Sequence, residues 1–188
     1  MSVEPKRLAA AFFLPRGERD LTLEELLRAA GVTPSAAGRP TPDYDPSGLI
    51  DCLWAGLTCR AGVFNLEYHQ LFVIYFWQSS FLEMLGGPSD ADSLVAAFRD
   101  ACEALAPEVA FIVTHLDQAD IDWILDREAA VLSKDANLLA GERVGLLYLN
   151  EEVSSYWTPN PVRDDRDSVP VASGRMVFAG RGDFSRWF

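Results

Sequence analysis

Residues able to do acid–base or nucleophilic chemistry are sparse: two histidines, His69 and His115, and three cysteines, Cys52, Cys59 and Cys102. His115 follows the apolar run Val109 to Thr114 and stands two residues before Asp117. An imidazole beside a carboxylate makes a base and its orienting acid. At the carboxyl end of a strand in an open α/β sheet, such a pair would sit where ligands collect. Asp117 is equally well explained as the cap of the following helix, and no GxSxG elbow supplies a nucleophile. The catalytic reading, a small hydrolase or transferase using His115 and Asp117, therefore stands second. His69, next to Glu67 and Tyr68 in strand-rich sequence, reads as structural.

Metal and cofactor patterns are incomplete. Two histidines and scattered cysteines without a CxxC give no zinc spacing. Asp43, Asp45, Ser47, Gly48 and Asp51 imitate the first nine positions of a calcium loop, but position 12, which needs a bidentate carboxylate, is Trp54. Asx-turn chemistry explains that segment better. Gly86-Gly87-Pro88 precedes a helix without the Lys-Ser/Thr of a P-loop or a GxGxxG pattern. Arg181-Gly182-Asp183 reads as a turn. No metal and no cofactor is expected.

Charge is more informative. The 188 residues carry 28 acidic and 16 basic groups, a formal charge of −12. Residues 108–157 hold ten acids and three bases, whereas residues 158–188 hold four acids and five bases. So acidic a flank repels nucleic-acid phosphates and attracts a basic protein surface. Within it, residues 117–132 have helical periodicity. At about 100° per residue, Ile121, Ile124, Leu125, Val131 and Leu132 form an apolar arc. Glu128 falls inside that arc and must find a basic or hydrogen-bonding partner. Trp123 falls on the polar side with Asp126 and Arg127, where an outward indole would mark an interface. Beyond the next strand, Glu151, Glu152, Tyr156 and Trp157 repeat the association of acids with aromatics.

Asp120, Asp122, Trp123, Asp126, Glu151, Glu152, Tyr156 and Trp157 are thus the expected partner-binding residues. Charge would steer encounter and aromatic anchors would hold the complex. In physical character this surface resembles that of bacterial immunity proteins that neutralise basic toxins, and the resemblance implies a non-enzymatic inhibitor of a basic partner. A third reading is a self-associating adaptor whose aromatic surface makes a homodimer.

The elements that would carry these residues follow from apolar patterning. Leu8 to Leu14 reads as a strand. Thr22 and Glu25 form a capping box before a helix that stops at Gly31. Residues 32–48, with Pro34, Gly38, Pro40, Pro42, Pro46 and Gly48, form an irregular loop. Strands are expected near 50–58, 63–68 and 70–77, broken by Gly56 and Gly62. A helix opens at Ser89 and runs to about Ala106, burying Leu94, Phe98, Ala101, Cys102 and Leu105. Strands at 109–114 and 144–149 flank the 117–132 helix, and Met176 to Ala179 forms a last edge strand.

Alternating strands and helices over 70–149 suggest βαβ units. The expected fold is α/β or α+β, one mixed sheet of five to seven strands with three main helices, in a single domain over 1–188. Residues 158–188 read as loop-rich, with the apolar ending Phe184-Ser185-Arg186-Trp187-Phe188 packed back. The longest apolar run, Leu71 to Trp77, is seven residues, far short of the roughly 20 needed to span a membrane. Glu4, Pro5 and Pro15 spoil a secretory signal, so a cytoplasmic location with free thiols is expected.

Overall fold

A computed structural model of the chain describes residues 7–17, 19–35, 48–77, 79–80, 90–116, 121–139, 144–157 and 168–178. Its organising element is β1 (Arg7–Pro15). Leu8 to Leu14 are apolar without interruption, and all are buried. A strand with no polar face must be covered on both sides. Leu8, Ala10, Phe12 and Leu14 enter one core, and Ala9, Ala11 and Phe13 enter a second on the opposite face.

Around it runs one sheet: β2 (Thr33–Pro34), β3 (Ile50–Trp54), β4 (Leu57–Asn65), β5 (His69–Trp77), β6 (Val109–Leu116), β7 (Val144–Asn150), β8 (Ser168–Val171) and β9 (Gly174–Phe178). Their order is β2-β3-β4-β5-β1-β6-β7-β9-β8, and every pairing is antiparallel. The first core lies under α1 (Leu23–Ala29) and α2 (Asp90–Leu105), through Leu26, Leu27, Leu94, Phe98, Ala101 and Cys102. The second lies under four short helices: α3 (Ile121–Leu125), α4 (Glu128–Leu132), α5 (Ala136–Leu139) and α6 (Glu151–Ser154).

The mixed α+β class agrees with expectation, while the counts and the strand directions differ. β5 and β6 point the same way, joined across the first core by α2, but β1 lies between them and is antiparallel to both. Hydrophobic patterning identifies a strand buried on two faces without saying which strands flank it. The extra strands, β2 and β8, are short edges within segments read as loops. β9 accordingly pairs with both β7 and β8 and is not the edge. The 117–132 helix is interrupted: α3 ends at Leu125, and α4 begins at Glu128.

Local signals were otherwise reliable. The Thr22 hydroxyl accepts from the Glu25 amide, and the Glu25 carboxylate accepts from the Thr22 amide at 2.8 Å. The Arg19 guanidinium, 2.7 Å away, with these Thr22 bonds draws the Glu25 carboxyl down to about 2. At the other end Gly31 has φ +68°. Its amide bonds to the Arg28 carbonyl and that of Val32 to the Leu27 carbonyl, a Schellman closure. Thr22→Ala should lower the unfolding free energy by about 1 kcal/mol. This would be read as a lower urea midpoint at constant slope. An unchanged midpoint would mean that packing of Leu26 and Leu27 alone holds α1.

Ala55 and Gly56 both have positive φ, 50° and 79°, and join β3 to β4 as a type I′ turn. Gly62 instead lies within β4, where a Cβ would come 2.4 Å from Leu49 Cδ2. The buried Gln70 side chain pairs with both backbone groups of Leu21, at 2.8 and 3.0 Å, and so fixes the approach to α1.

Candidate functional site

The four short helices over the second core bring most of the sequence-predicted interface residues to one side of the sheet. Ile124, Ala130, Val131, Leu139 and Val153 face inward, and Asp122, Asp126, Asp135, Glu151 and Glu152 are exposed. Asn150 caps α6 by accepting from the Val153 amide at 2.8 Å. Glu151 and Glu152 then occupy its first turn, where carboxylates suit the helix dipole. Asp120 and Asp117 lie outside the described residues.

Trp123 corrects the sequence reading. It is only partly exposed and meets Phe111 of β6 in a T-shaped contact (centroids 6.0 Å apart, planes at 75°). The Arg127 guanidinium lies over the ring, 3.8 Å from its centroid. A wheel angle fixes where a side chain leaves the helix and not where a ring of this size ends: the indole packs against the second core and supports the face. Trp157 is likewise an element of the second core, 8% exposed. Tyr156, its neighbour, is 58% exposed.

Glu128 meets the requirement that its position in the apolar arc imposed. Its Oε1 accepts from the amides of Tyr68 and His69 at 2.9 Å and lies 3.1 Å from His69 Nδ1. Burial works to raise this carboxyl, but the Tyr68 amide, the imidazole and the His69 amide outweigh it, and the net displacement is downward. His69 is buried, with Nε2 3.3 Å from Glu108 Oε2 and its ring in a T-shaped contact with Phe13. It has the structural role expected: it ties the start of β5 to the start of β6 and to α4.

Beyond α4, Lys134 has left-handed φ and forms an ion pair with Glu152. Its ammonium, raised by the hydrogen bond to Glu152, also lies 5.4 Å from the centre of the Tyr156 ring. A connected run results: Tyr68 and Glu128 at one end of α4, Leu132 at the other, then Lys134, Glu152 and Tyr156. Among the described residues, Tyr68, Leu132, Leu138 and Tyr156 are the exposed large apolar side chains on this side. The helical wheel put Leu132 in the apolar arc, but the helix ends there and the side chain emerges. Leu138 lay in a segment read as loop and gave no periodic signal.

Acidity itself does not single out this side. The α1 and α2 helices carry Glu24, Glu25, Asp90, Asp92, Asp100 and Glu103 against Arg28 and Arg99. Residues 121–139 and α6 carry Asp122, Asp126, Glu128, Asp135, Glu151 and Glu152 against Arg127 and Lys134. In these described segments both layers hold six acids and two bases. What differs, among the described residues, is the apolar content of the surface: Leu21, Leu53 and Val169, the other exposed large apolar side chains among them, lie apart, before α1 and on β3 and β8.

The alternative pair falls differently. His115 belongs to β6, which is hydrogen-bonded antiparallel to β1 and β7, so the parallel-sheet edge that motivated a catalytic role is missing. The His115 side chain lies outside what the structure describes. Among the described residues no cluster of three or more His, Cys, Asp or Glu is arranged to hold a metal. The calcium-like residues 43–47 also lie outside the described set. No described helix is long and apolar enough to cross a membrane.

No protein-family model matches the chain, and no curated protein matches it. Among solved structures, the chain is similar to the Pseudomonas aeruginosa T6SS protein PA0821. Identity is 14% and the TM-score 0.40, over 93% of this chain and 66% of that one.

Proposed function

We propose that this chain is a non-enzymatic protein-binding domain, an inhibitor of the immunity type, which docks a basic partner on the side of the sheet covered by α3 to α6. The observation that carries the reading is the coincidence of Tyr156, Leu132, Leu138 and Tyr68 with exposed carboxylates in one layer, while among the described residues the α1 and α2 helices, equally acidic, expose no large apolar side chain. Long-range attraction by carboxylates raises the encounter rate, and desolvated aromatic and aliphatic contacts hold the complex. Trp123 and Trp157 serve as the packed base of this face. Asp122, Asp126, Glu151 and Glu152 supply the field, and Asp120 precedes them in sequence.

The test starts with capture of a partner from native lysate, followed by titration of the purified partner against wild-type chain and Tyr156→Ala. The expected partner is basic, and truncation of the ring should weaken affinity at least tenfold, about 1.4 kcal/mol, with the circular dichroism spectrum unchanged. A neutral or acidic partner, or equal affinity of the variant, overturns the proposal. Sedimentation of the chain alone at several concentrations separates it from the homodimer reading, which requires reversible self-association lost in Tyr156→Ala.

A further inference from the structure

Cys52 and Cys59 are direct partners in the β3–β4 ladder, two pairs from the type I′ turn that closes at Trp54 and Leu57. Directly opposed antiparallel residues have Cα atoms about 4.5–5.5 Å apart, inside the window of about 4.4–6.8 Å that a disulfide spans. Opposed side chains also project to the same face, and both cysteines are buried in the same core. Cys102 shares that core from α2, but it lies near Tyr148 of β7. Four strand spacings separate β4 from β7, roughly 19 Å at about 4.8 Å each.

We propose that Cys52 and Cys59 are a disulfide-forming pair closed by glutathione disulfide while the chain folds, and that Cys102 remains a thiol. One thiolate attacks glutathione disulfide and releases a first glutathione thiolate. The second then attacks the mixed disulfide at the protein sulfur and releases another. The two protein thiols lose two protons and two electrons, and one glutathione disulfide becomes two reduced glutathiones.

Timing follows from burial. In the folded chain both thiols are free and sealed from solvent. Burial, then the neighbouring Cys52 and Asp51, pushes the Cys59 thiol up to about 12, leaving almost no attacking thiolate. The unfolded chain has no such protection. The pair therefore records the redox conditions under which the chain folded, because the burial that blocks oxidation of the native dithiol also shields a completed bridge.

Wild-type chain should be unfolded with reductant, then refolded with either glutathione disulfide or dithiothreitol. It is next alkylated with iodoacetamide in denaturant and weighed. Refolding with glutathione disulfide is expected to yield one alkylated cysteine, Cys102, and a linked peptide pair holding Cys52 and Cys59. Refolding with dithiothreitol should yield three alkylated cysteines, as should native reduced chain kept in the glutathione buffer for the same time. A bridge that includes Cys102, lasting glutathione adducts, or three free thiols after oxidative refolding would overturn the pairing. Equally rapid closure in the native chain would overturn the assignment to folding. Cys102→Ser should form the same bridge.

Discussion

Gly174→Ala is expected to destabilise the fold by about 3 kcal/mol, because the added methyl has no space that side-chain motion can create. A Cβ on Gly174 would stand 2.1 Å from the Leu149 carbonyl oxygen and 2.8 Å from Asn150 Cα. Both are backbone atoms of β7, and Gly174 is the register partner of Asn150. Relief requires β9 to move away from β7. Met176 and Val177, which enter opposite cores, would move with it, and among the described strands β8 pairs only with β9. Gly62→Ala is the matched control: its Cβ would meet the end of the Leu49 side chain, which can change rotamer. It should cost less than half as much. Urea unfolding of the two variants measures the contrast. A Gly174→Ala variant within about 0.5 kcal/mol of wild type, the range of an ordinary surface change, would contradict the β7–β9 register.

Glu128→Ala should have a comparable effect, about 3 kcal/mol, for an electrostatic reason. The carboxylate, 15% exposed, accepts from two backbone amides and faces the buried imidazole of His69. A buried donor left without an acceptor costs about 1–3 kcal/mol, which applies to His69, whereas the amide of exposed Tyr68 can turn to water. Glu128→Gln keeps an acceptor oxygen and removes the charge, and it should lose less. The pH dependence has a definite sign. Because the folded carboxyl lies below its ordinary range, the stabilisation is complete above the unfolded value and disappears as pH falls through the folded one. The stability gap between wild type and Glu128→Gln should therefore narrow in acid. A gap that widens as pH falls, measured by urea unfolding across the carboxylate range, would show that the charged form is not the one that Tyr68 and His69 hold.

Legibility of this fold in the sequence tracked the range of the forces involved. The capping box at Thr22 and the stop at Gly31 depend on residues three to five apart, and both are present as read. The face of α2 through Leu94, Phe98 and Cys102 follows from periodicity alone. The insertion of β1 between β5 and β6 depends on contacts across most of the chain, and no local pattern carries it. The same limit explains Trp123. Its wheel angle gives the direction in which the side chain leaves α3, but the contact with Phe111 joins two different elements. Glu128 shows the opposite case: its misfit in the apolar arc required a partner, although Tyr68 and His69 could not be named in advance. Tyr156 was legible as an aromatic in an acidic segment, whereas Leu138 lay in a short helix without a periodic run.

Because the described helical segments of the two layers carry the same charge, the docking claim can be separated from a general effect of acidity. Two double variants remove equal charge from opposite sides: Asp126→Asn with Glu151→Gln beneath the proposed partner, and Asp100→Asn with Glu103→Gln on α2. Titration of the captured basic partner at low salt should give at least a tenfold loss of affinity for the first and a change within about twofold for the second, since charges on the far side are largely screened. Equal losses from both, or a larger loss from the α2 pair, would contradict docking on the α3–α6 side.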